Sequence, residues 1–159
     1  YMRNSKNIFL LLGLAMVSCH HTDESVSTAT SNANQIFPKG EQIMNANFTG
    51  VAYLYPMITA DSLNPAQIGN VTFEPGARTN WHLHPGGQIL LATDGVGYYQ
   101  EKGQAKQILR KGDVVKCPPH VLHWHGASVD TAFVQVAITN TQAGATIWKE
   151  PVEEAVYLK

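Results

Sequence analysis

Charged residues are scarce in this sequence, and neither sign is in clear excess. Lys, Arg, Asp and Glu make up 14% of its 159 residues and give a formal net charge of −1, whereas ordinary soluble domains are about 25% charged. The basic surface that nucleic acids require is therefore not predicted. Only two cysteines are present, so nothing indicates a scaffold held together by disulfides.

Long hydrophobic runs are also missing. The apolar run near the N-terminus, residues 8–17, is ten residues long, and a helix needs about 20 to cross a bilayer. Arg3 and Lys6 precede this run and Ser18-Cys19 follows it, which is the pattern of a secretory signal. We therefore set residues 1–19 apart from the folded protein.

The position of Cys19 resembles the lipobox of bacterial lipoproteins, in which this cysteine becomes the lipidated first residue. The resemblance implies that Cys19 is lipidated and that the protein is exported and anchored in the cell envelope, at the periplasm or the outer membrane. Plain secretion is the alternative. Residues 20–40, polar and rich in Ser, Thr and Asn, are predicted to be a flexible tether. Residues 41–159 then form a single domain that meets a membrane only through the lipid.

The domain itself has the pattern of short β-strands joined by turns. Short apolar or alternating runs end at Gly, Pro, Asn or Asp, and they predict nine strands: 51–55, 69–73, 80–84, 88–93, 97–100, 105–109, 113–117, 121–125 and 132–138. Only residues 151–157 look helical, since a proline suits the first turn of a helix. The sequence therefore predicts one all-β sandwich or barrel with a short C-terminal helix.

Histidine is the feature that needs a chemical explanation, because five of the seven histidines fall between His82 and His125. Side chains alternate along a strand, so His82 and His84 share one face about 7 Å apart at the Cα level. His123 repeats this pattern with His125, and Gln88 begins the returning strand and can offer an amide oxygen to the same point. Three imidazole nitrogens and one oxygen suit Mn, Fe, Co, Ni or Zn, and do not suit Ca or Mg.

Two segments resemble the two motifs of the cupin superfamily. They are Gly76-x5-His82-x-His84-x3-Gln88-x6-Gly95 and Gly112-x5-Pro118-x-His120-x2-His123. Gln88 stands where most cupins have Glu, and His120 stands where they prefer Gly. The resemblance implies a double-stranded β-helix, or jelly roll, whose interior is lined by the metal ligands His82, His84, Gln88 and His123.

A narrower resemblance is to small bacterial cupins that include manganese-dependent hydroxynitrile lyases and proteins described as carboxymuconolactone-decarboxylase-like. It is carried by residues 71–85, 112–115 and 123–127. In that subfamily a site of three histidines and one glutamine is expected, which implies one divalent metal: manganese first, otherwise Fe, Ni, Zn or Co. The lyases have a further histidine where this chain has Gln135. Small cupins commonly pair, which implies a homodimer, with Trp148 and the terminal helix as candidate contacts.

Two inward-facing residues are candidates for catalysis. His125 shares a strand face with His123 and is the candidate general acid or base, although a histidine that only bonds a neighbouring backbone group is an equal alternative. Gln135 lies on one face of a late strand and is predicted either to orient the substrate or to satisfy a buried polar group.

Three further residues are predicted to bind substrate, each with a structural alternative. Arg78 and Asn80 have the parity of His82, so Arg78 could bind a carboxylate and Asn80 could add a hydrogen bond. The alternatives are a structural ion pair for Arg78 and a turn for Asn80. Tyr53 could wall the pocket or belong to the core.

These observations predict a metal-dependent enzyme, a lyase or decarboxylase-like cupin acting on a small oxygenated organic molecule. One alternative is a metal-dependent dioxygenase that uses iron at the same ligands. The other is a tethered cupin that binds a small molecule without turnover. No nucleic-acid partner is expected.

Overall fold

A computed structural model describes residues 35–159, so the predicted signal, Cys19 and most of the predicted tether lie outside the described residues. Twelve strands and one short helix make up this part of the chain: β1 (Glu41–Gln42), β2 (Phe48–Thr49), β3 (Ala52–Ile58), β4 (Ala66–Phe73), β5 (Arg78–Thr79), β6 (His82–Leu83), β7 (Gln88–Glu101), β8 (Gln107–Arg110), β9 (Val114–Cys117), β10 (His123–Ala127), β11 (Phe133–Asn140), β12 (Ile147–Trp148) and α1 (Glu154–Leu158). No helix within residues 35–159 is long and apolar enough to span a membrane.

All the strands belong to one antiparallel sheet that curls on itself. Its main path runs β1-β3-β4-β11-β7-β10-β5-β2, and β12 adds to the sheet through β6. The long strand β7 joins the two halves, because its first part pairs with β11 and β9 and its second part with β10 and β8. This curled, mostly β architecture with one C-terminal helix confirms the predicted fold class.

Strand β7 differs from the prediction, which placed a turn at Asp94-Gly95 between two strands. The strand continues through this point, and the register with β11 shifts between Val134 and Gln135. Gly95 has φ +73°, and a Cβ there would lie 1.9 Å from the Ala132 carbonyl oxygen. Only glycine fits this bend, which is a bulge that turns the strand from one half of the sheet into the other.

The hydrophobic core divides into two clusters on opposite sides of the sheet. The cluster inside the curled sheet includes Phe73, Leu90 and Tyr99. The cluster outside it includes Trp81, Trp124, Val152 and Tyr157, with Tyr157 supplied by α1. Because side chains alternate along β10, Trp124 points to the outer cluster, and the histidines on either side of it point inward.

Candidate metal centre

Four histidine side chains meet inside the curled sheet. They are His82 on β6, His84 one residue beyond it, and His123 and His125 on β10, and none is more than 4% exposed. The ring centre of His82 lies 4.4 Å from that of His123, 5.1 Å from that of His84 and 5.2 Å from that of His125. The strand register explains this proximity, since His82 pairs directly with His123.

Two of these rings are held by backbone carbonyls on one side. The Nδ1 atoms of His82 and His123 lie 2.9 Å from the carbonyl oxygens of Asn80 and Val121. A carbonyl oxygen only accepts, so in the neutral rings the proton is on Nδ1 and the lone pair is on Nε2. This is the arrangement in which a histidine binds a metal through Nε2.

The other two rings are held by side chains. The Nδ1 atom of His84 lies 3.1 Å from the Thr146 hydroxyl, and that of His125 lies 3.0 Å from Nε2 of Gln135. The Nε2 atoms of His84, His123 and His125 are buried and have no hydrogen-bond partner among residues 35–159. A buried nitrogen without a partner is energetically costly, so a ligand that satisfies all of them is expected.

Gln88 presents an oxygen in the same state. Its side-chain nitrogen donates to the Thr139 hydroxyl at 2.9 Å, and its side-chain oxygen is buried without a partner in the described part of the chain. The nearby Gln88 side chain also raises the pKa of His84 and offsets part of the larger effect of burial. Gln88 therefore lies at the cluster with its acceptor atom free.

Burial keeps the cluster neutral at physiological pH. Loss of solvent lowers the pKa of His84 to about 4, with a further contribution from His123 nearby. The pKa values of His82 and His125 lie well below 6.5, and that of His123 is also lowered, in each case chiefly through burial. Neutral imidazole is the form that binds metals.

The donor set fits a divalent transition metal. Donor atoms of His82, His123 and His125 lie within 4.8 Å of one another, whereas the sequence pattern grouped His82 and His123 with His84 and Gln88. The structure brings all five side chains to one cluster, with His82 and His123 common to both groupings. Neutral nitrogens and one amide oxygen suit Mn, Fe, Co, Ni or Zn.

His125 and Gln135 form a buried pair at one side of the cluster. Both side chains are at most 4% exposed, and the oxygen of Gln135 has no partner within the described range. The Phe73 and His125 rings are nearly perpendicular, with centres 5.8 Å apart. The hydrogen-bond partner of the His125 ring is thus the side-chain amide of Gln135. Gln135 lies where it can orient this ring.

Arg78 is not brought to the cluster. Its guanidinium bonds the Val152 carbonyl at 3.2 Å and Glu154 at 2.7 Å, and it lies 4.3 Å from the ring centre of Tyr157. These partners belong to α1 and the segment before it. The predicted parity fails because β5 ends at Thr79 and β6 begins only at His82, so the alternation does not carry through.

Asn80 and Tyr53 also have partners elsewhere. The Asn80 side-chain nitrogen donates to the carbonyl oxygens of Ala46 and Lys149, and the backbone oxygen of Asn80 bonds the His82 ring. Tyr53 lies on the face of β3 opposite to its neighbour Ala52, which packs in the inner core. The ammonium of Lys39 sits 3.9 Å from the centre of the Tyr53 ring. Neither side chain is placed to wall the cluster.

Four residues around the cluster were missed by sequence reasoning: Thr139, Thr146, Trp148 and Glu101. Thr139 continues the inward face of Gln135, so strand alternation could have found it. Glu101 pairs in register with His123 and accepts from the Tyr99 hydroxyl at 3.0 Å, and the same alternation along β7 could have indicated it. Thr146 and Trp148 carry no local signal, because β12 reaches the site by pairing with the distant strand β6.

Comparison with known proteins agrees with this architecture. The family model for the cupin domain matches residues 69–139. The (R)-mandelonitrile lyase of Granulicella tundricola is 42% identical over 113 residues, which cover 69% of this chain and 85% of that protein.

Solved structures give the same result. A cupin-like protein from Thermotoga maritima is 44% identical, with a TM-score of 0.74 over 77% of this chain and 94% of that chain. A cupin 2 conserved barrel domain protein from Rhodopseudomonas palustris is 16% identical, with a TM-score of 0.56 over 68% of this chain and 74% of that chain, and so shows likeness of fold alone.

Proposed function

The chain belongs to the cupin family, and on that premise we propose that it is a metal-dependent lyase acting on a small oxygenated organic molecule. The observation that carries the proposal is the buried cluster of four histidines and Gln88, in which donor atoms of His82, His123 and His125 lie within 4.8 Å of one another. A relative that is 42% identical is named a lyase, which supports this reaction class over others open to the fold.

The proposed metal ligands are His82, His84, Gln88 and His123, with manganese first and Fe, Ni, Zn or Co as alternatives. A divalent metal bound there supplies a Lewis acid for a substrate oxygen. Because all four ligands are neutral, the metal keeps its full charge, which favours an oxygen that gains negative charge during the reaction.

His125 is the proposed proton carrier. Its Nε2 atom is buried, faces the cluster and has no partner among the described residues. In the cleavage of a cyanohydrin, Nε2 accepts the hydroxyl proton, the electrons of the broken C–C bond leave with cyanide, and the ring returns the proton to cyanide. For Nε2 to accept, the ring proton must be on Nδ1, so Gln135 serves this step with its amide turned so that its oxygen accepts from Nδ1.

A second candidate function is a cupin that binds a small molecule without turnover. Gln135 favours it, because the hydroxynitrile lyases that the sequence resembles have a histidine at this position, and an amide does not exchange protons as an imidazole does. A dioxygenase that uses iron at the same ligands is the third possibility, and it predicts oxygen consumption.

The experiment combines metal analysis with an assay on the full chain. We expect about one equivalent of metal in the wild type and in His120→Ala, a matched control that removes an exposed histidine, and much less in His82→Ala. Equal metal in all three proteins would refute the metal centre. The manganese-loaded protein should release cyanide from mandelonitrile faster than His123→Ala does.

Each alternative has its own outcome in this assay. Metal binding without cyanide release above the His123→Ala control refutes the lyase proposal. A ligand that stabilises the protein and is recovered unchanged then supports the binding function. Oxygen uptake with phenolic or diketone substrates supports the dioxygenase.

We also propose that Cys19 is lipidated and that the protein is anchored in the cell envelope as a homodimer. The lipobox-like sequence pattern supports lipidation, and Cys19 itself lies outside the described residues. The dimer is supported by the resemblance to small cupins, which commonly pair. Mass spectrometry of the N-terminal peptide would test lipidation, and an unmodified Cys19 would refute it. Sedimentation of the purified protein would test the dimer, and a monomer at micromolar concentration would refute it.

A further inference from the structure

A row of paired residues crosses three neighbouring strands on the inner face of the sheet and ends in a carboxylate. His82 on β6 pairs in register with His123 on β10, and His123 pairs in register with Glu101 on β7. Glu101 shares its strand face with Tyr99, which belongs to the inner core. Glu101 therefore faces the same interior as the two histidines and is the direct cross-strand neighbour of His123.

Tyr99 holds this carboxylate in place. The Tyr99 hydroxyl lies 3.0 Å from Oε1 of Glu101, and because a carboxylate only accepts, the hydroxyl is the donor. Tyr99 is fully buried, and its ring centre lies 5.6 Å from that of His123. None of the ion pairs within residues 35–159 includes Glu101. The half-buried side chain of Glu101 is thus fixed beside a proposed metal ligand and is not paired with a lysine or arginine of this range.

The charge of Glu101 acts on His123. Burial lowers the pKa of the His123 ring, and Glu101 opposes this effect by favouring the protonated, positively charged ring. A negative charge that favours a proton on this ring also favours a metal cation bound to it. Because the ring is buried, salt and water screen this attraction less than they would at the surface.

The proposed ligands are neutral, and three other residues that touch them are neutral as well. These residues are Thr139, Thr146 and Trp148. The same three line a cavity of about 510 Å³, with Gln67, Thr141 and Ala145 as its other walls. Among these neighbours of the donor set only Glu101 carries a charge.

We infer that Glu101 supplies the negative charge that the neutral donor set lacks, and that it thereby strengthens the binding of a divalent metal without being a ligand. The inference rests on the proposed function, because it concerns the metal of the proposed site. The attraction acts through space, so the four ligand atoms stay neutral and the metal shares its charge with no ligand. Tyr99 is the positioning residue, since its hydroxyl keeps the carboxylate on the inner face.

The test is a titration of the full-length protein with Mn²⁺ in competition with a fluorescent chelator. Glu101→Gln keeps a side-chain oxygen that accepts from Tyr99 and loses only the charge, so the Kd should rise about tenfold. Tyr99→Phe keeps the charge and releases the carboxylate, and we expect a rise of about threefold. Glu41→Gln is the matched control, because it removes the same charge from an exposed position on β1 and should leave the Kd unchanged.

Two further measurements separate a charge effect from direct ligation and from a structural role. Zn²⁺ carries the same charge as Mn²⁺, so Glu101→Gln should weaken the binding of both ions to about the same extent. In urea with a chelator present, metal-free Glu101→Gln should be at least as stable as the wild type. The amide keeps the bond to Tyr99 and has no charge that loses water on folding.

The inference is overturned if Glu101→Gln binds both ions as tightly as the wild type, or if Glu41→Gln weakens binding as much as Glu101→Gln does. A lower urea midpoint for metal-free Glu101→Gln would assign a structural role to Glu101 instead. A loss of affinity for one ion alone, or a loss of more than about a hundredfold, would make Glu101 a ligand.

Failure of the proposed function gives a different result. A wild-type protein that binds neither ion refutes the metal centre and this inference together. The expected weakening in Glu101→Gln without any cyanide release refutes the lyase and leaves the role of Glu101 in place. If Glu101→Gln does not fold, Tyr99→Phe decides, and a Kd equal to that of the wild type would then overturn the inference.

Discussion

The side-chain nitrogen of Gln88 donates to the Thr139 hydroxyl at 2.9 Å, and the amide oxygen is then the end without a partner among the described residues. With the amide reversed, Thr139 would face an oxygen, and an N–H group that cannot bind a metal would take the buried position. The Thr139 hydroxyl therefore helps to position the proposed ligand Gln88, although Thr139 is not itself a proposed ligand.

Thr139→Val removes this hydroxyl and keeps the shape of the side chain. We expect metal affinity to fall about tenfold, because the amide of Gln88 is no longer held with its oxygen free. Competition with a fluorescent chelator measures the effect. Thr141→Val is the control, since Thr141 lines the same cavity but bonds the Pro65 carbonyl. Equal affinities in the wild type and Thr139→Val would show that the hydroxyl does not orient Gln88.

The metal-free protein should lose stability as the pH falls. Burial lowers the pKa of His84 to about 4 and lowers those of the other three histidines of the cluster. In the unfolded chain these rings titrate near about 6.5, so from there down to about 4 the unfolded state binds more protons than the folded state. Each ring that stays neutral in the folded protein then destabilises it by about 1.4 kcal/mol per pH unit.

Urea unfolding in the presence of a chelator, at about pH 7.5, 6 and 5, measures this slope. His125→Gln removes one buried ring and should make the dependence on pH shallower. If the urea midpoint did not change with pH, the rings would not be buried in the neutral form. The same conclusion would follow if the free energy of unfolding depended on pH as steeply in His125→Gln as in the wild type.

The cluster was predictable where its pattern is local. His82 and His84, or His123 and His125, lie two residues apart, and a two-residue period puts both members of each pair on one face. Gln88 follows after a short turn. Their convergence needed only that the two segments pair, which the resemblance to cupins implied and the register of His82 with His123 provides.

The surroundings of the cluster were not predictable, because they depend on pairings between distant residues or on breaks in a strand. Thr146 and Trp148 reach the site only through β12, which pairs with a strand more than sixty residues earlier. Arg78 was predicted inward by parity, and the interruption between β5 and β6 removes that parity. Periodicity in a sequence reports neither a partner strand nor an interruption.

Arg78 should be a determinant of stability. Its guanidinium is buried and bonds two backbone carbonyls and Glu154. Arg78→Ala leaves these groups without a partner and exposes the Tyr157 ring, so the free energy of unfolding should fall by about 2–3 kcal/mol. Glu154→Gln should change it by less than about 1 kcal/mol, because the Glu154 side chain is 65% exposed.

Kinetics on the same variants separate this role from substrate binding. If Arg78 only holds the segment before α1, the KM of folded Arg78→Ala stays near the wild-type value while its urea midpoint drops. A large rise in KM with an unchanged midpoint would instead support the role in substrate binding predicted from the sequence.

His120 is held in a backbone conformation that suits glycine. Its φ is +61°, the only positive value for a non-glycine residue within the described range, and its N–H donates to the His84 carbonyl at 3.0 Å. A side chain in this region costs about 1–2 kcal/mol, which a glycine would not pay. Glycine is also more flexible in the unfolded chain, and this offsets part of the stability gained by the substitution. His120→Gly should therefore raise the free energy of unfolding by about 0.5–1 kcal/mol.

His120→Ala separates strain from the histidine ring, since alanine removes the ring and keeps the Cβ. We expect His120→Ala to be no more stable than the wild type in urea, and both variants to keep full metal content because the exposed ring of His120 is outside the donor set. If the glycine variant were destabilised as much as the alanine variant, the ring itself would be contributing. If both lost metal, His120 would have to be counted with the cluster, and its conformation would then be explained by function.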